Sequence, residues 1–306
     1  MRILIVGAGA TGGYFGGRLA QAGRDVTFLV RPGRAVQLAR NGLQIVSPHG
    51  DVTLTPRLLV TGAATAPFDA VVLAVKAYAL EAAVGDLAAA VGPATMIVPL
   101  LNGMRHLDAL IERFGGERVL GGVCRVATTL DPEGRIVQLA DFQELAYGER
   151  DGTVSDRVRA LDADMQGAGF SARAVTDVMQ QMWEKWVLLA AGGAVTCLLG
   201  GHVGEIEAAG GAGVARRLLA EAGAVAGAAG HAPGGKFAAS AEKMLTAPGS
   251  SFATSMYRDM SAGQAVEAEQ IVGDIVRRAA AAGIDVPLLS AALARLRVFE
   301  GRRARM

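Results

Sequence analysis

Short β-rich runs of apolar residues alternate with helical patterns through the first half of the chain. Residues 3–6 are predicted to form the first strand, residues 12–22 the helix after it, and residues 25–30 the second strand. Residues 71–75 and 96–98 are predicted to continue the same sheet. Because strands that alternate with helices form parallel sheets covered by helices, this half is predicted to be an α/β domain.

Two further β-rich regions interrupt this alternation. Residues 43–46 and 53–59 are predicted to form a small hairpin or a side excursion from the sheet. From residue 119 to residue 147 the pattern is β-rich around the turn sequence Asp131-Pro132-Glu133-Gly134, which predicts a late antiparallel hairpin on the sheet. The sheet is predicted to end near Val175.

The second half of the chain has apolar residues at helical spacing. The predicted helices cover residues 178–191, 214–229, 237–245 and 267–282. A chain of 306 residues is long enough for two domains. We therefore predict a parallel-sheet domain over residues 1–175 and an all-helical domain over residues 176–306.

Charge and composition favour a small-molecule ligand. Lysine and arginine total 30 against 29 acidic residues, a net charge of +1, which gives no basic field for nucleic acid or an anionic membrane. Cys124 and Cys197 lack the paired spacing of a disulfide framework or a metal site, which favours a cytoplasmic protein without a bound metal. The apolar run at residues 3–6 is too short for a signal peptide. The uncharged stretch at residues 186–201 is shorter than the roughly 20 apolar residues of a membrane span, so it is predicted to be a buried core helix.

A glycine motif lies between the first predicted strand and its helix. The sequence Gly7-Ala8-Gly9-Ala10-Thr11-Gly12 is G-x-G-x-x-G, in which the glycines permit a tight turn, a close approach of pyrophosphate to the backbone, and close packing of helix on strand. The phosphates would meet the positive N-terminus of the helix. The alternative is a glycine-rich turn without a ligand. The motif predicts a Rossmann-type dinucleotide site whose candidate residues are Gly7, Gly9, Ala10, Thr11 and Gly12.

Arg31 at the end of the second predicted strand indicates which dinucleotide binds. NAD enzymes usually place an acidic residue there to bind the ribose 2′-hydroxyl, whereas a guanidinium can pair with a 2′-phosphate. Arg34 is close enough in sequence to assist. The alternative is that Arg31 is a solvated residue at a strand end. We predict NADPH or NADP as the cofactor.

Lys185 lies in an apolar helical pattern and is a candidate proton donor. It shares a predicted helix face with Met182, Leu188 and Leu189. Apolar surroundings lower the pKa of an ammonium group, which would suit proton donation during carbonyl reduction near neutral pH. The alternative is a lysine that extends its charged end to water from an apolar face. Trp183 and Trp186 are predicted to be core residues.

Taken together, these residues resemble the ketopantoate reductase (2-dehydropantoate 2-reductase) family over nearly the whole chain. Five segments carry the resemblance: the glycine motif, Leu29-Val30-Arg31, Val75-Lys76, Leu101-Asn102-Gly103-Met104, and Trp183-Glu184-Lys185 together with Ser255-Met256 and Glu267. The resemblance implies a Rossmann domain followed by a helical domain like the C-terminal domain of 6-phosphogluconate dehydrogenase. It also implies the reduction of 2-dehydropantoate to pantoate in pantothenate biosynthesis.

The resemblance further implies a role for each matching residue. Lys185 would be the general acid, and Glu267 would complete the catalytic pair by hydrogen bonding a substrate hydroxyl. Ser255 would bind the substrate carboxylate, Asn102 would lie between nicotinamide and substrate, and Lys76 and Arg31 would contact the cofactor. Taken singly, these residues have simpler interpretations, namely Ser255 as a helix N-cap, Glu267 as a solvated helix residue, Asn102-Gly103 as a turn, and Lys76 as a strand-end charge.

The sequence also departs from the family pattern. Leu189 and Gly193 stand where these reductases usually carry asparagines that reach the substrate, which leaves the physiological substrate open. Two other functions remain open at this stage. One is a related two-domain dehydrogenase acting on another carbon skeleton, such as a β-hydroxyacid or opine dehydrogenase, and the other is a non-catalytic NADPH-binding regulator. The sequence leaves the oligomeric state open, with a homodimer among the alternatives.

Overall fold

The computed structural model describes residues 1–63 and 66–305. They form two compact units. Unit 1 contains Met1–Leu101 and His106–Met179, and unit 2 contains Asn102–Arg105 and the residues from Gln180 onward. The short segment Asn102–Arg105 thus belongs to unit 2 although unit 1 surrounds it in the sequence. The domain boundary between residues 175 and 176 stays a prediction.

Ten strands lie in the described part of unit 1. In chain order they are β1 (Arg2–Val6), β2 (Asp25–Val30), β3 (Leu43–Val46), β4 (Val52–Leu54), β5 (Arg57–Val60), β6 (Ala70–Leu73), β7 (Met96–Pro99), β8 (Gly121–Leu130), β9 (Ile136–Gly148) and β10 (Ser171–Ala174). The first sheet has the order β5-β2-β1-β6-β7, with every pair parallel. Its central strand is buried on both faces, as Ile3, Leu4 and Ile5 have no exposed surface. The predicted parallel sheet is confirmed.

The predicted small hairpin is confirmed, because β3 and β4 pair antiparallel, but the prediction that residues 53–59 form one strand of it is wrong. This stretch contributes to two strands that belong to different sheets. β4 pairs antiparallel with β3, whereas β5 pairs parallel with β2 in the first sheet. Pro56 lies between them, and it has no N–H for a ladder and restricts the backbone of Thr55 before it. The apolar pattern continues through this break, which is why periodicity alone did not reveal it.

The predicted late hairpin exists, but it does not lie on the parallel sheet. β8 and β9 pair antiparallel on either side of the turn that contains Pro132 and Gly134. β9 also pairs in parallel with β3 and with β10, so the hairpin belongs to a second sheet of β10, β9, β3 and β4, with β8 on the other side of β9. β9 has thirteen residues, so it is long enough to pair with these strands at different positions along its length.

Helix α1 packs closely against residues of both sheets. The helices of unit 1 are α1 (Ala10–Gln21), α2 (Pro32–Asn41), α3 (Leu80–Leu87), α4 (Arg105–Phe114, whose first residue belongs to unit 2) and α5 (Asp156–Met165). A Cβ atom on Gly16 would lie 2.6 Å from the Phe28 ring, and one on Gly17 would lie 2.7 Å from Ile45 Cδ1. Because Phe28 is in the first sheet and Ile45 in the second, these glycines let one helix cover both.

Unit 2 is helical, as predicted. Its helices are α6 (Val178–Leu199, whose first two residues belong to unit 1), α7 (Val203–Ala208), α8 (Ala212–Ala228), α9 (Gly235–Leu245), α10 (Ser255–Ser261), α11 (Asp274–Ala281) and α12 (Pro287–Arg303). The predicted helix at residues 178–191 extends eight residues further, to Leu199. The region predicted as one helix at residues 267–282 contains a π-helical segment, Glu269–Gly273, directly before α11.

Helix α6 is the core helix that was predicted from the uncharged stretch. It is long and apolar enough to cross a membrane by length and composition, but 67% of its most apolar window is buried inside the protein. Trp183 and Trp186 are 4% and 1% exposed, which confirms that they are core residues. Such burial is typical of the central helix of a folded domain.

Candidate active site

The glycine turn of unit 1 leaves the N-terminus of α1 open. Gly7 has φ +94° and lies against the end of β6, where an added Cβ would be 3.1 Å from Ala74 O and from Val75 Cγ1. Gly9 precedes α1 as its N-cap, and an added Cβ there would meet no heavy atom of the described residues within 4 Å. At Gly12 the same addition would lie 2.1 Å from Gly7 O. Gly7 and Gly12 are therefore needed for the turn itself, while the space at Gly9 suits a phosphate beside the helix N-terminus.

The turn brings the other predicted cofactor residues to the same edge of the sheet. Gly7 N–H donates to Leu29 O at 3.0 Å, two residues before Arg31. Arg31 is exposed and forms the N-cap of α2. Lys76, also exposed, follows Val75, which packs on Gly7. The carboxyl ends of β1, β2 and β6 therefore place the glycine turn, Arg31 and Lys76 together, as expected for a switch point in a parallel sheet.

Arg34 has a structural role that the sequence did not reveal. Its Nε donates to Ala8 O at 3.0 Å, and its Nη1 donates to Gln37 Oε1 at 2.6 Å and to Gly134 O at 2.9 Å. Burial lowers the pKa of this guanidinium. Arg34 thus holds the turn of the β8–β9 hairpin against the glycine motif, with Arg31 the more exposed of the two arginines.

In unit 2, one tryptophan and one glycine join the three segments that carry Asn102, Lys185 and Glu267. Trp186, next to Lys185, donates from Nε1 to Ile271 O at 2.9 Å within the π-helical segment. Gly103, next to Asn102, has φ +81°, and a Cβ there would lie 2.5 Å from Gln270 O and 3.7 Å from Trp186 Nε1. The π-helical segment begins two residues after Glu267. Segments that are far apart in the sequence are therefore held at one junction.

Salt bridges and further hydrogen bonds hold this junction in place. Arg297 of α12 donates to both carboxylate oxygens of Glu269, at 2.7 and 3.1 Å, and these bonds lower the pKa of Glu269. Asp274, which is 1% exposed, accepts from Arg278 at 3.1 Å, and the Arg278 guanidinium lies 5.7 Å from the Trp186 ring centre. A π-helical turn with fixed partners on both sides is a feature often found at functional sites.

Two of the simpler interpretations of the site residues, those of Glu267 and Ser255, do not agree with the structure. Glu267 is only 7% exposed, so its interpretation as a solvated helix residue is wrong. Thr254 is the N-cap of α10, since its hydroxyl accepts from Tyr257 N–H at 3.3 Å, and Ser255 is therefore the first helical residue instead of the cap. Asn102, Lys185 and Ser255 are all partly exposed.

The departures from the family pattern lie on α6 next to Lys185. Leu189 is partly exposed one turn after Lys185. Gly193 is buried under Met256, and a Cβ there would lie 2.9 Å from Met256 Cε. Position 189 therefore carries an apolar side chain, and Met256 packs against Gly193 where the family usually has an asparagine.

Two features of this site had little or no signal in the sequence. The π-helical segment has the same apolar periodicity as a regular helix, so the pattern alone predicts an ordinary helix. The grouping of Asn102–Arg105 with unit 2 follows from the fold and not from local composition. The glycine of Asn102-Gly103 was a usable signal, because a positive φ favours glycine.

Two family models match this chain. Residues 3–152 match the model described as "Ketopantoate reductase PanE/ApbA", and residues 177–300 match "Ketopantoate reductase PanE/ApbA C terminal". Together they cover most of both units.

Similar proteins and structures extend over the full length. A Bacillus subtilis (strain 168) protein named "Uncharacterized oxidoreductase YkpB" is 34% identical over 304 residues, which cover 99% of this chain and 100% of that protein. The crystal structure of 2-dehydropantoate 2-reductase from Methylococcus capsulatus is 29% identical with a TM-score of 0.88, covering 100% of this chain and 99% of that one. A D-mandelate dehydrogenase in a ternary structure with NADH and anilino(oxo)acetate also has a TM-score of 0.88, covering 99% of this chain and 100% of that one. Its identity is 20%, so this likeness concerns the fold.

Proposed function

The chain belongs to the ketopantoate reductase family and is an oxidoreductase of that family, and we propose that it uses NADPH to reduce 2-dehydropantoate to pantoate. The observation that carries this proposal is the junction in unit 2. There Trp186 and Gly103 hold the Lys185, Asn102 and Glu267 segments together around a π-helical turn. Lys185 lies in sequence between two buried tryptophans, and one of them contacts the segment that follows the buried Glu267. Such surroundings suit proton transfer to a carbonyl oxygen.

The residues of unit 1 fit a phosphorylated dinucleotide. Gly9 leaves room at the N-terminus of α1, and the first turn of α1 carries no acidic residue. Backbone N–H groups at this end would bind the pyrophosphate, and the exposed Arg31 would pair with a 2′-phosphate, which favours NADPH over NADH. Lys76 would add a second positive charge. When bound, NADPH supplies the hydride.

The residues of unit 2 would position the substrate and supply the proton. The carbonyl carbon of the 2-oxo acid would receive the hydride, and Lys185 would donate a proton to the carbonyl oxygen as the C=O double bond becomes a single bond. Ser255 would bind the carboxylate, Glu267 would accept a hydrogen bond from a substrate hydroxyl, and Asn102 would orient the reacting groups. We place this reaction in pantothenate biosynthesis in the cytoplasm.

The test is a product analysis with NADPH that carries deuterium at the transferred position. Incubation with 2-dehydropantoate is expected to yield pantoate with deuterium at C2. Arg31→Ala is expected to lower kcat/KM for NADPH by about 10- to 100-fold, because a charge-assisted phosphate contact is lost, and to leave activity with NADH little changed. Arg40→Ala, which removes an exposed arginine from the last turn of α2, is the matched control.

Two results would contradict the proposal. NADPH binding without oxidation by 2-dehydropantoate or any other 2-oxo acid would make the chain a binding protein. Equal losses with NADPH and NADH in the Arg31→Ala variant would show that Arg31 does not contact a 2′-phosphate.

A further inference from the structure

Unit 1 has a pocket at the edge of the first sheet that is opposite the glycine turn. The pocket has a volume of about 300 Å³ and lies where the chain enters β7, whereas the glycine turn follows the carboxyl end of β1. Its walls come from residues 88–93, from the last turn of α4 and from the 3₁₀ turn Gly116–Arg118. This volume is at the lower end of the range for ligand pockets, about 300–1,000 Å³, so the pocket suits a small molecule.

Hydrogen bonds fix the pocket wall that precedes β7. The hydroxyl of the buried Thr95 accepts from Gly92 N–H at 2.9 Å and donates to Phe68 O at 2.6 Å. Arg118 Nε donates to Gly92 O at 3.0 Å, and its Nη1 donates to Phe114 O at 2.6 Å. Arg118 therefore ties this wall to the end of α4, and the pocket is a fixed part of unit 1.

The pocket has an arginine that is available to a ligand. None of the described residues that line it is acidic. The charge of Arg118 is offset by the Glu117 carboxylate, with which it forms a salt bridge. Arg113 is exposed in the last turn of α4, with its guanidinium 5.7 Å from the Phe114 ring centre, and within the described ranges no hydrogen bond or ion pair engages it. Its N–H groups can therefore donate to an anion at the pocket.

The position of Arg113 at a helix end gives it a second, purely structural interpretation. A positive charge in the last turn of a helix stabilises that end of the helix. This effect accounts for the arginine but not for the pocket beside it. Arg40 is likewise an exposed arginine in the last turn of a helix, α2, and it does not line the pocket. Comparing the two arginines therefore separates a helix-end effect from ligand binding.

We propose that this pocket binds a small organic anion, whose carboxylate or phosphate pairs with Arg113 and whose apolar body packs on Val91 and Phe114. A guanidinium can form two parallel N–H···O bonds with either anionic group. Ala88, Val91 and Phe114 are partly exposed, and an apolar ligand that covers them removes their carbon atoms from water. A ligand at this edge leaves the glycine turn open, so the proposal does not depend on the proposed function.

The first experiment is calorimetric titration of the full chain with phenyl phosphate and with benzoate, each with and without NADPH. We expect saturable binding of at least one of these anions with a Kd of about 1 mM or lower, unchanged by NADPH. Phenol, which has the ring without the charge, is expected to bind about 10-fold more weakly or worse. The two anions together show whether the pocket prefers a phosphate or a carboxylate.

Two pairs of variants locate the bound anion. Arg113→Gln is expected to weaken binding by about 10-fold or more, whereas Arg40→Gln should bind like the wild type. Ala88→Glu places a carboxylate in the lining and is expected to abolish binding. Ala89→Glu, at an exposed residue of the same 3₁₀ turn that does not line the pocket, should change the Kd by less than about 3-fold.

Several results would overturn the proposal. These are the absence of binding by both anions, equal binding of phenol, and binding that NADPH abolishes, which would place the anion at the glycine turn. A folded Arg113→Gln variant with wild-type affinity would also refute it, as would equal losses in Arg113→Gln and Arg40→Gln. If Arg113→Gln does not fold, the Ala88→Glu and Ala89→Glu pair decides, and equal affinities in that pair would refute the site.

Discussion

Gly9 and Gly12 of the glycine motif have different surroundings. At Gly12 an added methyl group would collide with the carbonyl oxygen of Gly7, so this glycine is required for the fold. At Gly9 the added group would meet no heavy atom within 4 Å, so the fold does not account for the glycine. The close approach of the proposed dinucleotide would account for it.

Gly9→Ala is therefore expected to separate folding from cofactor binding. Its stability should stay within about 0.5 kcal/mol of the wild type, because no neighbour is displaced. Its Kd for NADPH should rise by about 10-fold or more, because the methyl group occupies the space of the pyrophosphate. Urea unfolding and calorimetric titration with NADPH measure the two quantities.

Gly12→Ala is the comparison for this prediction. It should lose stability, because its new Cβ would lie against a backbone oxygen that cannot move independently. Wild-type affinity for NADPH in the Gly9→Ala variant would show that the cofactor does not approach this turn.

At the residue scale, the glycine motif and Arg31 could be proposed as cofactor residues because chemistry and local pattern agreed. The roles of Lys76, Asn102, Ser255 and Glu267 were proposed only from the family resemblance. Glycines at set spacing after a strand, and an arginine at the end of the next strand, have specific uses that the sequence shows directly. Arg34 could not be interpreted in this way, since its partners Ala8 and Gly134 come from different parts of the chain. Its hydrogen bonds depend on a hairpin whose position the sequence did not show.

At the element scale, the π-helical segment Glu269–Gly273 organises the candidate site of unit 2. It provides Ile271 O to the indole of Trp186 and Gln270 O to the close approach of Gly103. The helical pattern was visible in the sequence, but the type of helix was not, because side-chain periodicity hardly changes over one wide turn. Likewise, apolar alternation predicted strands at residues 53–59 without showing that Pro56 divides them between two sheets.

Gly103→Ala tests the tight contact at this junction. The substitution places a side chain on a residue with φ +81° and puts its Cβ 2.5 Å from Gln270 O. We expect it to lower the free energy of unfolding by about 2–4 kcal/mol, from backbone strain together with overpacking. Denaturant unfolding provides the measurement.

Gly283→Ala separates these two contributions. Gly283 also has a positive φ, +67°, but an added Cβ there would meet no heavy atom within 4 Å. This variant should therefore lose only the roughly 1–2 kcal/mol that backbone strain costs. Equal losses in the two variants would contradict a tight contact between Gly103 and the π-helical segment.

At the scale of the whole molecule, the division into a sheet half and a helical half could be predicted, because the change of period from strands to helices is strong. The assignment of Asn102–Arg105 to unit 2 could not, since nothing in its composition distinguishes it from the neighbouring chain. The second sheet was missed for a related reason. Strands that are far apart in the sequence, such as β3 and β9, have no local sequence pattern that identifies their pairing partner.

In the proposed reaction Lys185 donates the proton that completes the reduction, so the substitution of this lysine is the decisive experiment. We would measure kcat with NADPH and a saturating 2-oxo acid for the wild type, Lys185→Ala and Lys236→Ala, the last removing an exposed lysine near the start of α9. We expect Lys185→Ala to lower kcat by about 10²- to 10⁴-fold while the Kd for NADPH is unchanged, and Lys236→Ala to behave like the wild type. A folded Lys185→Ala enzyme with kcat close to the wild-type value would contradict this role of Lys185.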